Sequence, residues 1–141
     1  MTLEDMVREF HVKYGHLVNS SPTTTISPVV KDLRLKLINE EYTELIEKGL
    51  EKDNLVEIAD GIADLVYVLI GTSLSYGIPF DRVFREVHRS NMTKTPSKAY
   101  EGQKYGAVNP KGPDFIPPHV WRILFEAELK TQLEKVYDVC A

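Results

Sequence analysis

Two groups of carboxylates, Glu40-Glu41-x-x-Glu44 and Glu57-x-x-Asp60-x-x-x-Asp64, carry the spacing in this chain that is best suited to chemistry. Both fall in strongly helix-forming stretches. At about 100° per residue, Val30, Leu33, Leu37 and Leu45 share one arc of a helix, and Glu41 and Glu44 fall inside it. Glu57, Asp60 and Asp64 lie within roughly 60° of one another and border Ile58, Leu65, Val68 and Leu69. Like charges at this spacing repel by ~0.2–0.5 kcal/mol per pair even in water, and burial costs far more. A cation relieves both costs. Every candidate ligand is an oxygen, the donor that a hard divalent ion such as magnesium prefers, with manganese as a substitute. Either cluster alone is more often a solvated helix face. Together, on consecutive helices joined by a short turn, they face each other as antiparallel neighbours and form an oxygen cage.

The elements that must position these acids are helices with clear punctuation. Thr2 caps a first helix, with Asp5 near the capping-box position and Gly15 ending it. A Ser/Thr/Pro-rich loop covers 19–27. Ser27-Pro28 opens a second helix that is expected to run to about Lys48, with Gly49 as its left-handed stop. Asp53 or Asn54 caps a third, running to about Tyr76 and stopped by Gly77. Pro79 opens a fourth through about Arg89. Residues 95–118, punctuated by Gly and Pro, read as an ordered but irregular strap. A last amphipathic helix, about 119–138, carries Trp121, Leu124, Phe125, Leu129 and Leu133, with Trp121 as its expected anchor. Val66 to Ile70 is short and apolar enough to pass for a buried strand, but its uninterrupted context favours helix. The third helix is apolar around most of its circumference after Asp64, so a helical homo-oligomer, dimer or tetramer, is expected.

With 141 residues, 43% of them hydrophobic and 27% charged, the chain has the make-up of one globular domain with a real core. We expect that domain to span 1–141, with its core over 2–94 and the strap and last helix over 95–138. A net charge of −4 argues against broad binding to duplex nucleic acid, which calls for a basic stripe. The single Cys140 cannot form an internal disulfide and is no nucleophile candidate. The N-terminus does not have the basic-then-apolar order of a secretory signal, and the apolar stretch from Leu65 to Ile70 is far too short for a bilayer. A cytoplasmic protein without membrane partners is expected. Neither a P-loop nor a Rossmann glycine motif is present, and no Glu has a His three residues later, so the di-iron bundle pattern fails.

The residues also carry a family resemblance. Glu40-Glu41-x-x-Glu44, an acidic third helix running into Asp64-Leu65-Val66-Tyr67-Val68, then Gly77-Ile78 and Glu86-Val87-His88-Arg89-Ser90-Asn91-Met92-Thr93-Lys94 resemble the all-α nucleoside triphosphate pyrophosphohydrolases. That superfamily holds the MazG-like proteins, dimeric dUTPases and phosphoribosyl-ATP pyrophosphohydrolases. Lys111-Gly112-Pro113 and Pro117-Pro118 resemble the tail of MazG-like members. In the family pattern a Glu stands three residues before the Asp of the Leu-x-Tyr-Val run. That register makes Asp64 the family Asp and puts Gly61 where the Glu belongs. Asp60, at i,i+4 from Asp64, is the natural replacement, and the literal match Glu57-x-x-Asp60 keeps Glu57 as an outer ligand.

The resemblance implies an all-α, MazG-like bundle of about five helices that hydrolyses a (deoxy)nucleoside triphosphate to monophosphate and pyrophosphate. Glu41, Glu44, Asp60 and Asp64 are the expected main ligands to magnesium, Glu40 with Glu41 the catalytic acids, and Glu40 the group that orients or deprotonates water. Asn91 and Lys94, just beyond the fourth helix, are expected to hold substrate phosphates, with His88 and Arg89 weaker candidates. His11, beside Phe10, and Tyr67 are candidates to touch the nucleoside. The alternative is a catalytically silent helical module that binds nucleotide or protein through the same acidic groove.

Overall fold

The computed structural model describes residues 1–95 and 111–140. Five α-helices follow one another: α1 Leu3–Tyr14, α2 Pro28–Glu44, α3 Leu55–Ser75, α4 Phe80–Asn91 and α5 Val120–Cys140. No strand occurs among the described residues, and Val66 to Ile70 is helical. The chain is all-α, as its periodicity and punctuation imply.

Local chemistry fixes the ends of these helices. The Thr2 hydroxyl accepts the Asp5 N–H while the Asp5 carboxylate accepts the Thr2 N–H, a reciprocal capping box at the start of α1. Ser27 caps α2 through the Val30 N–H, with Pro28 at the first helical position. Asn54 caps α3, its side-chain oxygen accepting from Val56 and Glu57. The end of α2 differs from the expected stop at Gly49. The helix widens into a π-helical turn, Leu45–Leu50, closed by a Glu51 N–H to Ile46 carbonyl bond of 2.9 Å. The chain then reverses at Asp53, which takes φ 51°. Gly49 serves close packing instead: a Cβ there would lie 3.0 Å from the Ile58 backbone nitrogen.

α3 is the hub, packing on α1, α2, the π-turn and α4. The register of its antiparallel contact with α2 is set by small residues. Gly61 lies against Leu45, where a Cβ would be 3.0 Å from the Leu45 Cα, and Gly71 lies against Arg34. The innermost apolar cluster is small: Val7, Ile70 and Leu74, with Phe80 packed on it. At ~1.5–3 kcal/mol for each fully buried side chain, that cluster leaves much apolar surface on α1 and α3 still to be covered. Leu3, Met6, Ile62 and Val66 line an open apolar hollow of about 350 Å³ beside it.

α5 lies against α4 through an Arg82–Glu126 ion pair of 2.7 Å and reaches the α1–α2 loop where the Thr131 hydroxyl donates to the Ser20 carbonyl. Its half-buried stripe is Val120, Ile123, Leu124, Ala127 and Thr131. Trp121, expected to anchor this helix, is 69% exposed, because it sits one residue off that stripe. Before α5, residues 116–119 are tied to the end of α4. Ser90 Oγ donates to the Ile116 carbonyl, the Ile116 N–H to Thr93 Oγ1, and the His119 N–H to Glu86. The rest of the expected strap, 96–110, lies outside the described residues. No described helix is long and apolar enough to cross a membrane.

Candidate active site

A groove of about 340 Å³ runs between α1, α2 and α3, and its two ends are chemically different. At one end Glu41 from α2 and Asp64 from α3 line it together, because the antiparallel register brings those positions level. Glu41 continues the Leu33–Leu37 stripe into the groove, as the helical wheel requires. Its carboxyl is pushed above the usual carboxylate range, first by burial and then by the charges of Asp64, Glu44 and Glu40, against a smaller opposing pull from Lys48. Lys48 is the local counter-charge. Its ammonium sits 2.6 Å from Glu44, and its own pKa is raised mainly by that hydrogen bond, with Glu44, Glu57 and Glu41 adding to it.

At the other end the lining is aromatic and cationic. Phe10 and His16 stack with centroids 5.6 Å apart and planes at 14°, and Tyr67 meets Phe10 edge-on at 5.6 Å. His11 is 2% exposed, and its Nδ1 lies 3.1 Å from the Leu17 carbonyl, to which the Nδ1–H tautomer donates. Burial lowers the His11 pKa more than that bond raises it, and the neighbouring Arg34 lowers it further, so the ring is neutral near pH 7. Arg34 is 5% exposed, and its Nε is buried with no hydrogen-bond partner. Among the described residues no carboxylate pairs with it. A buried donor left in this state costs ~1–3 kcal/mol. Gly71 makes room for both groups: a Cβ there would lie 2.7 Å from His11 Nε2 and 2.8 Å from Arg34 Nη1.

Of the residues singled out from the sequence, the groove brings together Glu41, Asp64, His11 and Tyr67. Glu44 is the last residue of α2 and is engaged by Lys48, while Glu40 and Glu57 are near enough to act on Glu41 and Lys48 respectively. Asp60 lines a separate shallow hollow with Leu55, Val56, Ala59 and Ala63. Asn91 is the last residue of α4, Lys94 follows it, and neither lines the groove. Among the described residues no group of three or more His, Cys, Asp or Glu side chains is already arranged to hold a metal ion. Sequence reasoning passed over Arg34 and gave His16 no role. The signal for Arg34 was present: it lies at i,i+3,i+7 with Leu37 and Glu41, a cation on the apolar face that the acids also share.

Comparison with known proteins supplies the family. The model of the phosphoribosyl-ATP pyrophosphohydrolase family matches residues 7–91, from Val7 in α1 to the end of α4. The chain belongs to this family. The matched stretch contains every residue that lines the groove, both acids and the aromatic wall included. Among curated proteins, the chain is similar to an uncharacterized protein, L479, of Acanthamoeba polyphaga mimivirus, with 37% identity over 78 residues. That alignment covers 53% of this chain and 31% of the viral protein, so the likeness spans about a third of the relative's length. Membership places residues 7–91 in a domain of the phosphoribosyl-ATP pyrophosphohydrolase family. At Gly61 a Cβ would lie 3.0 Å from the Leu45 Cα, so a side chain there calls for a small shift of the Leu45 backbone.

Proposed function

We propose that the chain is a magnesium-dependent nucleoside triphosphate pyrophosphohydrolase that cleaves a (deoxy)nucleoside triphosphate between its α and β phosphates. The observation that carries this reading is the pairing of Glu41 and Asp64 at one end of a groove whose other end is an aromatic wall. The donor set fits a hard cation: the ligands are carboxylate oxygens, and burial together with mutual repulsion holds Glu41 above its usual range. Glu41, Glu44 and Asp64 would hold the ion, with Asp60 and Glu57 as further candidates. When bound, magnesium would neutralise the triphosphate and lower the pKa of a bound water.

The chain's own residues do the rest. Glu40, exposed beside Glu41, takes a proton from the attacking water as its oxygen bonds to phosphorus and the α–β anhydride bond breaks, so that pyrophosphate leaves. Phe10, His16 and Tyr67 orient the nucleoside along the groove. Lys94 and Asn91 stand outside the groove of their own chain. Their proposed contact with phosphate oxygens therefore belongs to a homodimer or homotetramer, in which they would reach a neighbouring subunit's groove. The exposed apolar hollow formed by Leu3, Met6, Ile62 and Val66 supports such an assembly.

A second reading, a silent nucleotide- or protein-binding module, draws on Gly61, which removes one family carboxylate without leaving space for another. One experiment separates the two. The purified protein is incubated with canonical and modified NTPs and dNTPs, with and without magnesium, and products are identified. Monophosphate plus pyrophosphate, formed only with the metal, is the expected result. Binding without turnover would support the silent module.

A further inference from the structure

The nucleotide reading leaves one group in the groove without a task. Arg34 is nine-tenths buried, carries an unpartnered Nε and lines the groove two helical turns from Glu41, about 10 Å along α2. It stands up the helix from the acids that would gather the phosphates, towards the aromatic wall. A nucleotide laid along the groove with its phosphates at Glu41 and Asp64 has its sugar in the middle. The base then lies among Phe10, His16 and Tyr67, and the base edge remote from the sugar faces Arg34. On that edge a purine carries its 6-substituent and a pyrimidine its 4-substituent.

We propose that Arg34 reads this edge and selects nucleotides with a carbonyl there, 6-keto purines and 4-keto pyrimidines, over their amino counterparts. A guanidinium has donors only. The O6 of guanine or hypoxanthine and the O4 of uracil or thymine are acceptors, whereas the N6 of adenine and the N4 of cytosine present donors. A carbonyl completes the buried guanidinium's hydrogen bonding. An amino group opposes donor to donor and leaves both desolvated, and a site built on a hydrogen bond rejects a ligand that lacks it. His11 directs its Nδ1–H to the Leu17 carbonyl, which leaves its Nε2 an acceptor, so the buried donors at this end of the groove are those of Arg34, and Gly71, which contributes no side chain, leaves room for both groups.

This inference rests on the pyrophosphohydrolase reading, and its test keeps the two apart. The matched pairs dUTP/dCTP and dITP/dATP each change the carbonyl for an amino group and, with it, the adjacent ring N–H for a bare nitrogen, the rest of the nucleotide being constant. With magnesium present, kcat/KM for pyrophosphate release is expected to favour the keto member of each pair by at least about 10-fold. In Arg34→Gln, whose amide can donate or accept, that ratio should fall towards one. Should the variant fail to fold, the wild-type ratios alone decide. Equal turnover within both pairs, or a preference for the amino members, overturns the role of Arg34 and leaves the hydrolase standing. Calorimetric binding of the same nucleotides is measured in parallel. Keto-selective binding without hydrolysis keeps Arg34's role and overturns the hydrolase, whereas no binding and no turnover of any of the four overturns both.

Discussion

At the Arg34 end of the groove, His11 and Arg34 are almost wholly withdrawn from water, and Gly71 presses against both. At the acidic end Asp64 of α3 is exposed, and Glu44 of α2 is held by a lysine half open to solvent. The first end is fixed by packing: its rings stack, its histidine is bonded to backbone, and a Cβ at Gly71 would crowd the tips of His11 and Arg34. The second is governed by charge, with acids that push on one another and one ammonium that partly balances them. Packing sets positions in the isolated chain, whereas like charges settle only when a counter-ion arrives. That difference sets a wall of stacked rings beside carboxylates that, among the described residues, are not grouped as a ready-made ligand set.

The most severe way to break the comparison is at the charged end. Glu41→Gln should reduce pyrophosphate release on the order of 10²–10³-fold, yet leave the fold intact. The sign of the stability effect follows from the raised pKa of Glu41. An acid whose folded-state pKa lies above its unfolded value destabilises the fold when ionised, so the neutral glutamine should leave the melting temperature at pH 7 unchanged or slightly higher. Full activity in this variant would remove Glu41 from the chemistry.

Next come the glycines. Gly61→Glu restores the residue that the family pattern expects, but its Cβ would meet the Leu45 backbone at 3.0 Å. It should cost ~3 kcal/mol or more through overpacking and a displaced helix, with no gain in magnesium affinity. Denaturant melts and metal titration check both outcomes, and tighter metal binding by a stable variant would show that the carboxylate finds its way to the acids. Gly71→Ala should cost ~1–3 kcal/mol, since only the tips of His11 and Arg34 must yield. Its mark should be on base preference rather than on the chemical step, and a variant with unaltered preference would show that the Arg34 end is softer than its packing implies.

These contrasts also explain what could be read in advance. Helix order and caps were legible because Thr2, Ser27-Pro28 and Asn54 act through bonds within a few residues. The facing of Glu41 and Asp64 was legible because a short connection makes consecutive helices antiparallel. The π-turn was not, since Gly49 serves a contact with Ile58 that only tertiary structure creates. Trp121 was misjudged for a similar reason. Several apolar stripes can be drawn on α5, and the one that packs is chosen by α4 and the 19–27 loop, not by the largest side chain. Arg34 escaped because a lone cation in Leu33-Arg34-Leu35 looks like a solvated residue until α1 and α3 close over it. The parts of the strap in 96–110 lie outside the described residues, so that expectation stands as it was read.

A site outside the groove sharpens the comparison with the smallest effect. Glu86 accepts hydrogen bonds from Arg89 and from the His119 N–H, and these, the arginine first, hold its carboxyl down to about 2. A depressed carboxylate contributes stability above its unfolded value of 4.5 and loses it as the pH falls through the folded value near 2. The Arg89 side chain is 41% exposed, so salt screens much of the pair and the contribution at pH 7 is modest. The expected outcome is that Glu86→Gln melts slightly below the wild type at pH 7, and that the gap narrows as the pH is taken from 5 towards 2. A gap independent of pH would mean that the tie between α4 and residues 116–119 rests on the Ser90 and Thr93 hydroxyls instead. Base preference at neutral pH should be untouched by the substitution. A change there would mean that the end of α4 bears on the packed end of the groove, and the independence of the two regions would have to be given up.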